Sequence, residues 1–385
     1  MLFFGLASLV GCSPSSGPPP IVIGHVSDKT RLDKAGDQAE RGIRLALHDL
    51  NNDTLAQEFG GRKLEVRHTD TRGQLEAFES QAVRLDSVNR CLALLGGMST
   101  KETVALNNAK VPLLTMHGQP VSGANNYVFY LGMSPARQGA ALAKFIAENH
   151  DKIRVAILMD ERRPEAVAVA DAFQKALAEA RKSRNAPAGL VTLLRFGEET
   201  KTPPLRIDED QKWHELSERV LNHAAHTVVF AGAVQDFNAW HKVLRKDFPD
   251  VTLHLVFAGS DGAHRVFDLD AREEAPVLVA SAFYADPASA RINAFAKAYR
   301  EAFHVEADVH AALAYDGFRI LVEAMKRTPT QLSSEKVRDE ILKTKDFDGV
   351  TGTLTTTPDR QVQRPTHVLR WQSGKLTLVK TFGIE

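Results

Sequence analysis

From residue 21 onward, short apolar runs alternate with longer amphipathic stretches, and this alternation restricts the chain to few architectures. Ile21-Val22-Ile23-Gly24-His25-Val26 is a continuous apolar run, the pattern of a strand buried on both faces. Ala39, Ile43, Ala46, Leu47 and Leu50 then recur at helical spacing, with Asp37 expected near the start as the cap. Leu64, Val66 and His68 alternate as a second strand, and Leu75, Phe78, Ala82, Leu85 and Val88 form a second helical stripe. Strands follow at residues 91–95, 111–116 and 127–131, with a short helix at 101–109. After Ser134-Pro135 the pattern restarts. Helices are expected at 137–149, 165–182, 213–221 and 236–245, and strands at 153–159, 190–196, 227–230, 251–257 and 277–283. Residues 197–210 are polar and carry Pro203-Pro204, which reads as a surface loop. Helices at 287–303, 308–326 and 334–343 precede a tail of short strands. Strands separated by helices build βαβ units and parallel sheets. Two such runs predict an α/β fold of two Rossmann-like lobes.

In open parallel sheets, ligands sit beyond the carboxyl ends of the strands. The loops at 27–30, 98–100, 115–119, 160–164, 231–236 and 259–262 are therefore the candidate site. Lys+Arg and Asp+Glu are both 48 in the 385 residues, so the basic surplus of a nucleic-acid binder is missing. Two cysteines, Cys12 and Cys91, are too few for a disulfide framework or a four-sulfur zinc site. Cys91 reads as an apolar core residue. No GxGxxG follows the first strand, and no P-loop or HExxH is present. Gly259-Ser260-Asp261-Gly262 is not a nucleophile elbow and reads locally as a turn. Neither a catalytic role, a cofactor nor a metal is expected.

Leu2 to Val10 is an uncharged apolar run, too short to span a membrane and of the length of a signal-peptide apolar region. Leu9-Val10-Gly11-Cys12 resembles the lipobox of bacterial lipoproteins, which implies lipidation at Cys12 and a signal over residues 1–12. Residues 13–20, rich in Ser and Pro, read as a tether.

The ordered set of loop motifs resembles the periplasmic solute-binding proteins of the branched-chain amino acid type. Gly42-Ile43-Arg44-Leu45-Ala46, Gly96-Gly97-Met98-Ser99-Thr100, Val111-Pro112-Leu113-Leu114-Thr115, Ala258-Gly259-Ser260-Asp261-Gly262, Ala314-Tyr315-Asp316 and Phe347-Asp348-Gly349-Val350-Thr351-Gly352 carry the resemblance. It implies the type 1 periplasmic binding fold with three interlobe crossings, near Pro135, Tyr284 and Thr355. Lobe one would then be 21–135 with 285–355, and lobe two 136–284 with 356–385. It also implies a monomer, anchored to a membrane through its lipid, that captures an amino acid or related small polar ligand between its lobes and delivers it to an ABC permease.

Within that resemblance the expected ligand residues are Ser99, Thr100, His117, Gly118, Gln119, Asp261 and Phe283. Ser99 or Thr100 offers a hydroxyl at a helix start, where the dipole favours a carboxylate. Gly118 brings bare backbone N–H close, with His117 and Gln119 beside it. Asp261 would take the ligand ammonium, and Phe283 would supply a wall. Asp160-Glu161-Arg162-Arg163-Pro164-Glu165 departs from the family, which often has a tyrosine and glycine after that aspartate. This departure motivates an alternative, an envelope scaffold or sensor-associated binding protein with no transport role. A hydrolase using Ser260 and Asp261 ranks last.

Overall fold

The computed structural model describes residues 17–149, 154–185, 189–197, 209–269 and 276–384. In chain order the first block is β1 (Ile21–Ser27), α1 (Ala35–Asp49), α2 (Asn52–Glu58), β2 (Leu64–Asp70), α3 (Leu75–Val83), β3 (Ala93–Gly96), α4 (Thr100–Leu106), β4 (Leu113–Thr115) and β5 (Val128–Tyr130). The second block is α5 (Pro135–Asn149), β6 (Arg154–Asp160), α6 (Pro164–Ser183), β7 (Leu190–Phe196), α7 (Glu209–Asn222), β8 (Thr227–Ala231), α8 (Val234–Asp247), β9 (His254–Phe257) and β10 (Val277–Ser281). The remainder is α9 (Ala290–Phe303), α10 (Val309–Lys326), α11 (Ser334–Leu342), β11 (Phe347–Gly349), β12 (Gly352–Thr356), β13 (Val362–Gln363), β14 (Thr366–Gln372) and β15 (Lys375–Phe382).

Two parallel sheets follow from these blocks. The first runs β2-β1-β3-β4-β5. The second runs β15-β14-β10-β9-β8-β6-β7, its five block-two strands parallel and β14 and β15 added antiparallel at one edge. Both lobes thus share one strand order, which places a switch point beside the first strand of each. Every residue of β1, β8 and β10 is buried, as their unbroken apolar runs require when helices cover both faces. Helices α1, α9, α10 and α11 pack on the first sheet, and α5 and α6 cover one face of the second. A second-lobe aromatic cluster holds all three tryptophans, Trp213, Trp240 and Trp371.

The chain changes lobes three times. It passes from β5 into α5 near Pro135, and from β10 toward α9 at 283–284, where Phe283 packs in the first core and Tyr284 against the second. The last crossing differs from expectation. Val362 of β13 still packs in the first core, and only β14, from Thr366, joins the second sheet, so the side changes at Arg364-Pro365 rather than at Thr355. The reason is local: β12 pairs antiparallel with β13 and holds it on the first lobe. Another expectation shifts by one turn. Helix α1 begins at Ala35, so Asp37 lies inside its first turn, and the Asp33 carboxylate accepts from Ala35 N at 3.1 Å instead.

Ser99, Ser289, Asp308 and Ser333 each accept from a backbone N–H three residues on, closing the starts of α4, α9, α10 and α11. Cys91 is buried just ahead of β3, and burial pushes its thiol up to about 12, which fits the inert core reading. Cys12 and most of the expected 197–210 loop lie outside the described residues. Among the described residues no helix is long and apolar enough to cross a membrane.

Candidate functional site

A cavity of about 450 Å³ lies where the carboxyl ends of the two sheets face each other, within the usual range for a small-molecule site. Its walls come from five of the six loops singled out by strand polarity. Met98 and Ser99 follow β3, and Met116 to Gln119 follow β4. Arg163 and Glu165 follow β6, Gly232 to Gln235 follow β8, and Ala258 to Asp261 follow β9. The sixth loop, after β1, reaches the cavity slightly later, through Arg31, Leu32 and Asp33.

The β3 loop is built by two glycines. Gly96 (φ 141°) and Gly97 (φ 77°) take backbone angles that a side chain disfavours, and a Cβ on Gly96 would stand 2.0 Å from the Val26 carbonyl oxygen. Thr115 Oγ1 donates to the Gly97 carbonyl at 2.8 Å and fixes that turn against β4. The chain then enters α4 at Ser99, whose hydroxyl accepts from Glu102 N at 3.3 Å, while the Glu102 carboxylate accepts from Met98 N at 2.6 Å. Ser99 is therefore at once a helix cap and a cavity residue.

Thr100 is turned to a different task. Its Oγ1 lies 2.7 Å from Glu165 Oε1 and 3.1 Å from His117 Nε2. The single hydroxyl proton goes to the carboxylate, so His117 Nε2–H donates to the Thr100 oxygen. Burial lowers the His117 pKa against the opposing charge of Glu165, which keeps the ring neutral. Because Thr100 and His117 belong to the first lobe and Glu165 opens α6 of the second, this chain of bonds ties the lobes together. A second tie is an ion pair, Arg265 Nη1 to Asp308 Oδ2 at 3.2 Å, joining the loop after β9 to the cap of α10.

Asp261 lies on the cavity wall. Its Oδ2 accepts from Ala282 N at 2.7 Å, and its Oδ1 is buried without a hydrogen-bond partner. Burial raises its pKa, although the Ala282 N–H pulls the other way. His310, near the start of α10, also lines the cavity, and neither ring nitrogen has a partner. Gln119 brings a fourth unpaired buried atom, Oε1. On the second lobe, Asp160 accepts from Arg162 Nε at 2.9 Å and from Arg163 Nε at 3.2 Å. Burial would raise the Asp160 pKa, but the Arg162 hydrogen bonds and both guanidinium charges outweigh it and hold the carboxyl low. The apolar lining is aliphatic, with Met98, Met116, Met133, Val169 and Leu313 among it, and it holds no Phe, Tyr or Trp.

Of the seven expected residues, Ser99, His117, Gly118, Gln119 and Asp261 meet at this cavity. Thr100 stands behind them in the interlobe tie. Phe283 is elsewhere: it is buried in the first core, its ring 5.9 Å from that of Phe295. Sequence reasoning missed Glu165, His310 and the Arg31–Asp33 pair. Pro164 at the first turn of α6 marked where Glu165 would stand, whereas His310 carried no local signal.

The sequence matches the model of a family described as periplasmic binding protein over residues 20–188 and 210–375. No curated protein matches significantly. Among solved structures, a leucine binding protein, LivK, from Thermotoga maritima superposes with a TM-score of 0.76 at 20% identity, covering 94% of this chain and 99% of that one. The branched-chain amino acid transporter substrate binding protein LivJ from Streptococcus pneumoniae, in complex with isoleucine, gives 0.73 at 20% identity over 95% and 99%. A solute binding protein of an ABC transporter from Rhodopseudomonas palustris, in complex with 3,4-dihydroxybenzoic acid, gives 0.74 at 16% identity over 94% and 97%. At these identities the likeness establishes a shared fold.

Proposed function

This chain belongs to the periplasmic binding protein family, and from that premise we propose that it captures an amino acid or a closely related zwitterion between its lobes for an ABC importer. Lobe one is assigned to 21–135 with 285–363, and lobe two to 136–284 with 366–384. Isoleucine and 3,4-dihydroxybenzoic acid, bound by two of the similar proteins, both carry a carboxylate, and only the first carries an ammonium. One observation favours the amino acid: Asp261, on the cavity wall, keeps a buried oxygen with no partner. A buried carboxylate oxygen without a donor is costly, and an ammonium relieves that cost by a charge-assisted bond. The Ser99 hydroxyl and the backbone at Gly118 are the assigned partners of the ligand carboxylate. The methionines and Leu313 take its side chain, and their flexible apolar surface suits an aliphatic group better than a fixed ring. Lipidation at Cys12, holding the protein at the outer face of a membrane, completes this assignment.

The test is a thermal-shift panel of amino acids, their amides and hydroxybenzoates on protein unfolded and refolded to remove carried ligand. A true ligand at 100-fold excess over Kd stabilises by about 2.7 kcal/mol. Amino-acid hits abolished by Asp261→Asn support the assignment. Hits confined to hydroxybenzoates, or amino-acid hits indifferent to Asp261→Asn, overturn the ammonium site.

A further inference from the structure

Away from the cavity, on the helix-covered face of the first sheet, three side chains far apart in sequence come together. His25 of β1 and His68 of β2 are register partners in the parallel pair, so their side chains share a face. Their Nδ1 atoms are 3.1 Å apart. Glu40 of α1 packs over them. One ring nitrogen of each histidine and one carboxylate oxygen of Glu40 all lie within 4.8 Å of one another. His25 is fully buried; its Nδ1 shares a hydrogen bond with His68 Nδ1, and its Nε2 has no hydrogen-bond partner.

We propose that His25, Glu40 and His68 form a binding site for a divalent transition cation, Zn²⁺ being the best fit. Two imidazoles and one carboxylate are a donor set that zinc accepts with a fourth position left to water. Two nitrogens 3.1 Å apart are within about 0.3 Å of the separation that two ligands of one tetrahedral ion, each about 2.0–2.1 Å from it, require. Access is open: β2 is the edge strand of its sheet, and His68 and Glu40 are only partly buried. The site also contains its own competitor. Lys29 Nζ forms an ion pair with Glu40 Oε2, so an ammonium already sits where a cation is wanted. Its side chain is one-third exposed and follows β1 on a surface loop, from which it can swing away. The loop continues to Arg31 and Asp33 on the cavity wall, so displacement of Lys29 would be felt there.

The experiment is titration of the tag-free protein with Zn²⁺ by calorimetry, and with Co²⁺ by visible absorption. One tightly bound ion per chain is expected, with the intense bands of a four-coordinate Co²⁺ site. His68→Gln and Glu40→Gln, both partly exposed and checked for native circular dichroism, should weaken binding at least about tenfold. Lys29→Met should strengthen it severalfold. His214→Asn is the control for a surface site, since His214 lies beside Asp247 and Glu218 on the other lobe, and it should change nothing. Absence of binding, or stoichiometric binding unaffected by His68→Gln, overturns the proposal.

Discussion

Replacing Asp316 tests how the first lobe is held together at the point where the chain leaves it for the last time. Asp316 lies fully buried in the middle of α10. Its Oδ1 accepts from Val350 N at 2.8 Å, and its Oδ2 accepts from Thr351 N at 2.8 Å and from Thr351 Oγ1 at 2.6 Å. The Thr351 oxygen accepts in turn from Arg364 Nη1 at 2.8 Å. Arg364 is itself buried, and burial lowers its pKa to about 10, so it stays charged at neutral pH with Asp316 as the leading opposite charge. Asp316→Ala leaves two backbone N–H groups and the Thr351 hydroxyl without their acceptor, and the Arg364 guanidinium without its leading opposite charge. Hydrogen bonds to a charged group contribute about 1.5–3 kcal/mol each, and removing one partner of a buried ion pair costs about 3–5 kcal/mol. These overlap, so the expected loss is about 4 kcal/mol. Asp316→Asn should recover little of it, because one amide N–H₂ must face the Val350 or Thr351 donors. Urea unfolding measures the loss. All three tryptophans sit in the second lobe, so fluorescence follows that lobe while far-ultraviolet circular dichroism follows both. The early dichroism transition should move down by about 1–2 M for an m-value near 3 kcal/mol/M. Fluorescence should move less. A loss below about 1 kcal/mol would refute the view that a charged acceptor is needed here.

Three further outcomes are expected. Thr100→Val removes the hydroxyl that joins Glu165 to His117; a bond to a charged group, about 1.5–3 kcal/mol, is lost, and small-angle scattering of unliganded protein should show a larger radius of gyration, with an unchanged curve counting against the tie. Gly118→Ala puts a Cβ 2.0 Å from the Met133 carbonyl oxygen; calorimetry should show a destabilisation of about 1–3 kcal/mol, and wild-type stability would mean that this crossing is loosely packed. His241 is buried in the second lobe, and burial, then Arg245, lowers its pKa to about 4. The unfolded chain takes up that proton near pH 6.5, so His241 contributes stability above that pH, and the contribution is lost as pH falls toward 4, at up to about 1.4 kcal/mol per pH unit. Its ring resonances should not titrate until near pH 4, and titration near 6.5 would refute the buried neutral ring.

The alternation of apolar runs and amphipathic stretches was enough to place the parallel sheets, and strand polarity was enough to place the cavity loops. Both are local properties of the chain. Asp316 with 347–352 shows how a motif can be visible while its reason is not: the aspartate and the Gly-Val-Thr-Gly turn stand apart in sequence and meet only because α10 lies against the turn between β11 and β12. Phe283 was misplaced for a related reason. It sits where the chain leaves β10 for the other lobe, and period-two alternation cannot tell which lobe such a residue turns toward. Here Phe295 and its neighbours offer a complete apolar socket in the first core.

The pairs Thr100–Glu165 and Arg265–Asp308 were beyond sequence reasoning altogether, because each depends on how one lobe is set against the other. Their placement has a consequence for binding. Both are polar, and both join the two walls of a cavity that carries unpaired Asp261, His310 and Gln119 atoms. Polar ties exchange readily with water, so opening costs little more than the net worth of each bond, about 1.5–3 kcal/mol for one made to a charged group. Four unpaired buried atoms, at about 1–3 kcal/mol each, penalise the closed but empty form more than the two ties favour it. A ligand that satisfies those atoms therefore has differential affinity for the closed state, which is the only way it can shift the equilibrium between the lobes.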